Sequence, residues 1–292
     1  MPQETLTAPS SPTDVGGASI NRPWAIHALP PFPAVALQLM SILDDDDVPM
    51  KQVVDLLRVD PALSAEILRV SNSAYYGLSR QIDSVSHAVV VLGTQTVKRL
   101  AMTAALGKFA KEFMGNESLR TCWDHSIACA LVAEKIAELV PAARDRCYTA
   151  GLLHDVGRLA LLACHPNEYG GMLAVARDND FDELECERQL FDADHCNTGA
   201  YLAHQWQLPE DIAASIAHHH DPSPRDGSTL AVTCAASLVA DHLGYAVIER
   251  EGRPDLAESL AAAPVPDTEK AIEEFSDFGE KIQQAISSIS PT

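Results

Sequence analysis

Basic residues are scarce in this chain of 292 residues, where 21 Lys and Arg stand against 41 Asp and Glu, giving a formal net charge of −20. This charge repels the phosphate backbone of duplex nucleic acid and the anionic surface of a membrane, so we expect neither as a broad-surface partner. Aromatic residues make up only 5% of the chain, although 47% is hydrophobic. The length suits one large domain or two small ones with a buried core.

The sequence also lacks a disulfide framework and a long apolar run. Its seven cysteines are odd in number and scattered, which is unlike a disulfide-stabilised secreted protein and favours a reducing cytoplasm. The most apolar stretch, 230–248, contains Asp241 and His242 and falls short of the roughly 18 uninterrupted apolar residues of a membrane helix. Glu4 and Pro9 stand where a secretory signal would be apolar. We therefore expect a cytoplasmic protein without a membrane segment.

Helical periodicity is what the sequence does contain. Apolar residues recur at helical spacing and strict alternation is nearly absent, so the predicted fold class is all-α. Asp60 followed by Pro61 is typical of a helix start, and the aspartate run 44–47 is interpreted as a solvated loop. We predict four segments: a disordered tail over 1–22, an N-terminal helical half over 23–112, a second helical half over 113–246, and an acidic C-terminal extension of one or two helices over 247–292.

In the second half, histidines and aspartates fall on the apolar faces of predicted helices. One such helix covers about 120–140, and another, over 148–163, is interrupted by a histidine next to an aspartate. Later helices repeat the pattern near 195, 219 and 241. Helical geometry turns these side chains inward. The set expected to point inward is His125, His154, Asp155, His195, His219, His220 and Asp241.

Each of these residues alone has a simple structural explanation. A single inward histidine is usually a hydrogen-bonded core residue, and Asp155 with Arg158 is spaced for an ion pair within a helix. Asp241 is harder to explain, because an unpaired buried carboxylate costs several kcal/mol. Several imidazoles and two carboxylates directed into one helical core predict a site for a divalent first-row transition metal, with a carboxylate bridge between two ions as an option.

Longer motifs run through both halves of the sequence. They are residues 29–35, 60–63, 68–77 and 88–93 in the first half, and 123–126, 151–158, 195–199, 206–209 and 219–222 in the second. Over about 27–245 this combined pattern resembles the HDOD family, regulatory relatives of the HD-domain metal-dependent phosphohydrolases. The resemblance implies an N-terminal helical subdomain packed on an HD-like helical core, followed here by C-terminal helices.

The resemblance also implies a ligand set. His125, His154, Asp155 and Asp241 match the family's core metal ligands. His195, His219 and His220 match the additional ligands of binuclear members, so the implied cofactor is one or two divalent ions such as iron or manganese.

One subgroup of the HD relatives hydrolyses cyclic di-GMP, and this chain departs from its pattern. Arg158 stands where that subgroup has a lysine, and its Gly-Tyr-Pro signature is missing from residues 220–227. The chain is therefore not expected to be a typical cyclic di-GMP phosphodiesterase. Arg158 is interpreted as a phosphate contact.

Two functions follow from the resemblance. The first is a signal-transduction output module that acts through contacts with a signalling protein, and that retains the metal site. The alternative is a metal-dependent phosphohydrolase acting on a nucleotide or another small phosphorylated ligand. A large exposed apolar patch on the 30–110 half would favour the first.

Overall fold

The structure is a computed structural model that describes residues 23–26, 29, 33–42, 48–111, 116–142, 144–221 and 226–289, without the side chain of Phe109. The predicted disordered tail over 1–22 and the aspartate run 44–47 lie outside the described residues. Every regular element in the described part of the chain is helical, which confirms the all-α prediction.

The regular elements in the described part of the chain are sixteen α-helices, a short 3₁₀ helix and a π-helical turn. In chain order they are the 3₁₀ helix Trp24–Ile26, α1 Ala34–Met40, α2 Met50–Arg58, α3 Pro61–Ser71, α4 Val85–Leu92, α5 Thr94–Lys111, α6 Glu117–Leu139, α7 Arg144–Leu153, α8 Val156–Cys164, α9 Pro166–Asn179, α10 Glu183–Phe191, α11 His195–Gln205, α12 Glu210–His218, α13 Thr229–Ala240, the π turn Asp241–Tyr245, α14 Leu256–Leu260, α15 Thr268–Phe275 and α16 Phe278–Ile289.

Helices α1 to α5 pack on one another, and α5 also contacts α7 in the second half. The start of α3 is as predicted: the Asp60 side chain accepts the backbone N–H groups of Ala62 and Leu63 at 3.0 and 3.1 Å. The same carboxylate pairs with Lys108 of α5 at 2.8 Å. The N-cap therefore also ties α3 to α5.

The long helix α6 lies at the centre of the second half and packs against α7, α13 and α8. The single helix predicted over 148–163 is wrong, because α7 ends at Leu153 and α8 begins at Val156. At the break, the His154 imidazole Nδ1–H donates to the carbonyl of Gly151 at 2.7 Å and so satisfies a carbonyl at the end of α7. Periodicity did not reveal the break because both flanking segments are apolar. The break places His154 and Asp155 between two helices.

Two glycines bring α8 and α11 into backbone contact. A Cβ added at Gly157 would lie 2.0 Å from the carbonyl oxygen of His195 and 2.5 Å from the backbone nitrogen of Gly199. Only a residue without a side chain permits this approach. The contact sets the start of α11 directly against the helix that follows Asp155.

Gly157→Ala is therefore expected to destabilise the protein by about 1–3 kcal/mol, since the added methyl group must push two backbones apart. Urea unfolding measures the loss. Gly171→Ala in α9 is the matched control, because a Cβ there meets nothing within 4 Å, and alanine should stabilise that helix by up to about 1 kcal/mol. Equal effects at the two positions would contradict the close helix contact.

The C-terminal segment forms three helices, α14 to α16, where one or two were predicted. Helix α14 packs on α13, and α16 packs on α6. Arg69 of α3 donates to the backbone carbonyl of Ser288 at 2.8 Å, so α16 also contacts the first half. Among the described helices, none combines the length and apolar character needed to cross a membrane.

Candidate metal centre

The seven predicted ligand residues come from five places in the fold. His125 lies on α6, His154 and Asp155 at the α7–α8 break, His195 at the first residue of α11, His219 and His220 just after α12, and Asp241 just after α13. The structure brings their side chains to one cavity region. Helices that are distant in sequence therefore present these groups to a common volume.

Five of the seven side chains are buried, and two are not. The side chains of His220 and Asp241 are 34% and 31% exposed. The expectation that His220 falls on a buried face is wrong, because α12 ends at His218 and helical periodicity does not extend past that end. Both residues lie at the edge of the site.

Backbone carbonyls fix the orientation of three imidazoles. The Nδ1 atoms of His125, His154 and His219 lie 2.9, 2.7 and 3.1 Å from the carbonyl oxygens of Tyr245, Gly151 and Ile216, respectively. A carbonyl oxygen only accepts hydrogen bonds, so each Nδ1 must carry the hydrogen. Each Nε2 consequently presents a lone pair to the site, which is the orientation of a metal-binding histidine.

Glu187 orients the fourth buried imidazole. Its carboxylate accepts the His195 Nδ1–H at 2.7 Å and the His195 backbone N–H at 2.6 Å, and it also accepts the Tyr169 hydroxyl. Burial acts to raise the pKa of Glu187, but His195 and Arg158 outweigh it and hold the pKa below its usual value. Sequence reasoning missed Glu187. Its one signal is an acidic residue eight positions before His195.

The Nε2 atoms lie close to one another. The Nε2 atoms of His125 and His154 are 3.2 Å apart. The Nε2 atom of His195 lies 3.3 Å from that of His219 and 3.1 Å from that of His220. Burial lowers the pKa of His154 well below its usual value, and His219 and His125 act in the same direction, so this ring is neutral. The facing lone pairs of His125 and His154 repel at this distance unless a cation or a proton lies between them, whereas His195 Nε2 also lies 3.2 Å from the Arg158 guanidinium.

Asp155 lies between the two groups of imidazoles. Its Oδ1 is 3.4 Å from Nε2 of both His195 and His219, while its Oδ2 is 3.7 Å from His154 Nε2 and 3.9 Å from His125 Nε2. Burial acts to raise the pKa of Asp155, but Arg158 and His154 outweigh it and hold the pKa well below its usual value.

Asp155 Oδ1 is fully buried and has no hydrogen-bond partner. A buried, ionised oxygen without a donor calls for a cation. The facing imidazole nitrogens and this oxygen are the donor set that divalent transition metals take in proteins. The residues present therefore fit a divalent metal ion.

Asp241 lies beside the Nδ1 side of the His125 ring. Its Oδ1 is 3.5 Å from Nδ1 of His125, on the side of the ring away from Nε2. In the described part of the chain, three groups of residues have ligand atoms within 4.8 Å of one another, and Asp241 is in none of them. Two of the groups contain a cysteine, Cys129 or Cys196. Sequence reasoning missed Cys129, although it lies one helical turn after His125.

Arg158 is buried and bound to residues of the site itself. Its Nε–H donates to Asp155 Oδ2 at 3.0 Å. One terminal guanidinium nitrogen lies 3.2 Å from both the Glu183 carboxylate and His195 Nε2, and the other lies 3.7 Å from the Glu187 carboxylate. Arg158 also lines the cavity, so its role as a phosphate contact stays a prediction. Its position shows a further role as counter-charge to three buried or partly buried carboxylates.

A cavity of about 290 Å³ opens onto the site. Besides the predicted residues, it is lined by the segment 247–254, which contributes Arg250 and Arg253. Arg253 donates to the backbone carbonyl of Asp241 at 3.2 Å, and Arg250 pairs with Asp180 at 2.9 Å. Sequence reasoning did not place Arg250 or Arg253 at the site, because an irregular segment carries no periodic signal.

The comparisons with known proteins agree with this architecture. A family model described as "HDOD domain" matches residues 29–222. The chain belongs to the HDOD family. An HDOD domain protein of unknown function from Geobacter sulfurreducens shares 26% identity and superposes with a TM-score of 0.75, covering 90% of this chain and 94% of that one.

Two further solved structures share the fold of this chain at lower sequence identity. A candidate phosphohydrolase from Shewanella amazonensis SB2B is 22% identical, with a TM-score of 0.73 and coverage of 91% of this chain and 98% of that one. A candidate signal transduction protein from Marinobacter aquaeolei VT8 is 24% identical, with a TM-score of 0.71 and coverage of 90% and 60%. The HDOD chain spans 38% of the length of a curated relative from Treponema pallidum (strain Nichols), at 23% identity over 198 residues.

Proposed function

We propose that this HDOD chain is a signal-transduction regulatory module that acts through protein contacts and holds a divalent-metal centre in its second half. In this proposal, residues 23–112 face a signalling protein and residues 113–246 hold the metal. We also propose that the protein is cytoplasmic, because its cysteines are free and a reducing compartment keeps thiols unpaired. The fold shared with the Marinobacter protein is consistent with a signalling role.

The observation that carries the signalling role is a pair of strongly exposed apolar side chains on the first half. Val59, at the end of α2, is 81% exposed, and Val90 of α4 is 70% exposed. Arg58 donates to Ser86 at 3.0 Å, which joins the two helices beside these valines, since Val59 follows Arg58 and Val90 lies one turn after Ser86. Exposed apolar side chains on two connected helices of an acidic protein favour a protein partner.

We expect a photo-crosslinking amino acid at position 90 to trap one partner protein in the source cells, while the same amino acid at position 175 traps none. Val175 is the matched control, because it is 53% exposed on α9 of the second half. Mass spectrometry identifies the adduct. The purified partner should then bind the wild-type chain at least about tenfold more tightly than the Val59→Asp/Val90→Asp variant.

Equal adduct yields at positions 90 and 175, or unchanged binding by the double variant, would contradict the assignment of the docking surface to the first half. The Val175→Asp variant should bind the partner as the wild type does. Circular dichroism of all variants checks that the helices are retained.

The proposed metal centre would be held by His125, His154, Asp155 and Asp241, together with His195, His219 and His220. When bound, a divalent ion supplies a Lewis acid and lowers the pKa of a bound water. The chain's own groups orient the site: backbone carbonyls and Glu187 fix the imidazoles, and Arg158 fixes Asp155. Elemental analysis of protein purified without chelator tests for the metal.

A metal-dependent phosphohydrolase is the second candidate function. The observation that favours it is the cavity, which Arg250 and Arg253 line together with several of the proposed ligands. Its volume is near the lower end of the range for small-molecule sites, about 300–1,000 Å³, which suits a nucleotide or a smaller phosphorylated compound.

Metal-loaded protein should be screened against nucleotides and phosphomonoesters beside an Asp155→Asn variant. Turnover by the wild type alone supports the hydrolase. The same background rate in both proteins leaves the regulatory function.

A further inference from the structure

A cysteine lies within the proposed metal centre, beside two of the histidines. Cys129 follows His125 by one turn of α6, and its Sγ is 3.4 Å from His125 Nε2. The ligand atoms of His125, Cys129 and His154 all lie within 4.8 Å of one another, and all three residues are buried. The three side chains therefore surround one small volume.

A hydrogen bond from the thiol does not satisfy this cluster. The Nδ1 hydrogens of His125 and His154 are used on carbonyl oxygens, so both Nε2 atoms need a donor. The thiol has a single hydrogen, and the two Nε2 atoms are 3.2 Å apart. One S–H leaves at least one buried lone pair unsatisfied, and a proton shared by the two nitrogens leaves the sulfur out. One cation contacts both nitrogens and the sulfur.

The spacing of the ligand atoms also suits a single ion. Tetrahedral zinc with bonds of about 2.0 Å to nitrogen and about 2.3 Å to sulfur separates two nitrogens by about 3.3 Å, and a nitrogen and a sulfur by about 3.5 Å. The corresponding distances here are 3.2 Å between the imidazoles and 3.4 Å between His125 and Cys129. Two of the three pairs of ligand atoms thus already stand at the separations of a zinc coordination shell, and all three atoms lie within 4.8 Å of one another.

We propose that Cys129 is a metal ligand beside His125 and His154, so that this part of the centre is a thiolate site that selects zinc. The proposal rests on the metal centre of the proposed function. On binding, a sulfur–metal bond forms and the thiol proton leaves to solvent. A soft thiolate favours zinc over the harder manganese ion, which changes the metal expected for the site from iron or manganese.

Substitution of cobalt(II) tests the ligand directly. Wild-type protein loaded with cobalt(II) should show visible d–d bands together with a near-ultraviolet charge-transfer band from thiolate to cobalt. Cys129→Ser should keep the d–d bands and lose the charge-transfer band. Cys147→Ser is the matched control, because Cys147 is equally buried on α7 and belongs to none of the three ligand groups found among the described residues.

The outcomes separate this inference from the metal centre on which it rests. An unchanged charge-transfer band in Cys129→Ser, or its loss in Cys196→Ser instead, overturns the assignment of Cys129 while the metal centre stands. Failure of the wild type to bind cobalt(II) or zinc contradicts the metal centre itself.

One measurement does not depend on any variant folding. X-ray absorption of the zinc-loaded wild type should show a zinc–sulfur distance of about 2.3 Å beside nitrogen or oxygen at about 2.0–2.1 Å. A shell of nitrogen and oxygen alone overturns the proposal.

Discussion

Replacing Asp155 with asparagine is expected to lower the affinity for divalent metal by more than about 100-fold. Loss of a residue that only orients a metal ligand already lowers metal affinity by about 10- to 100-fold, and loss of a ligand itself should cost more. The carboxylate stands between the two groups of imidazoles, and its Oδ1 has no hydrogen-bond donor. Asparagine keeps the shape but removes the negative charge that attracts the cation. Isothermal titration with zinc or manganese, after removal of bound metal, measures the loss.

The matched control for this substitution is Asp221→Asn, a change of the same chemistry just beyond His220. The Asp221 side chain is 66% exposed and pairs with His218, outside the site. Its metal affinity should equal that of the wild type. Thermal unfolding of both variants separates a lost ligand from a lost fold. If Asp155→Asn and the wild type bind metal equally, Asp155 is not a ligand.

Glu187→Ala is expected to destabilise the protein by about 3–5 kcal/mol, the cost of removing one partner from a buried ion pair. The Glu187 side chain has no exposed surface, and it receives hydrogen bonds from Tyr169 and from two groups of His195. Its removal leaves these donors buried and unsatisfied. Arg158, 3.7 Å away, also loses one of its counter-charges.

Thermal unfolding measures this effect. At about 2–4 °C per kcal/mol for a domain of this size, the Tm should fall by roughly 10 °C. Glu185→Ala is the matched control on the same helix. The Glu185 side chain is 55% exposed, and its carboxylate accepts hydrogen bonds from the surface side chains Arg188 and Gln189. Alanine keeps the backbone N–H that donates to Asp182. Equal shifts for the two variants would show that the Glu187 network adds little to stability.

Helical periodicity was sufficient to predict the all-α fold class and the burial of most site residues. It works because apolar side chains must leave water, and a helix places every third or fourth residue on one face. His125 lies on such a face, so its burial was visible from the sequence. His154 and Asp155 were placed beside the apolar stripe of a helix over 148–163, which the structure breaks at these two residues. Periodicity failed where a helix ends, as at the break after Leu153 and at His220 beyond α12.

Some site residues carried too weak a signal to be found from the sequence. Cys129 looked like an ordinary apolar member of its helix face, and Glu187 lies in a helix with many exposed charges. Arg250 and Arg253 belong to an irregular segment. Each gains its role from a partner on another element, such as His195 for Glu187 and Asp241 for Arg253.

The sequence by itself determined the helical class, the HDOD resemblance and that most of these histidines and aspartates turn inward. Only the tertiary structure decided which of these groups meet, because periodicity assigns a residue to a face but does not say which faces pack together. The contact between Gly157 and His195, set by backbones rather than by side-chain pattern, brings α11 against α8. That packing places Asp155 between the two groups of imidazoles and turns separate inward residues into one candidate metal centre.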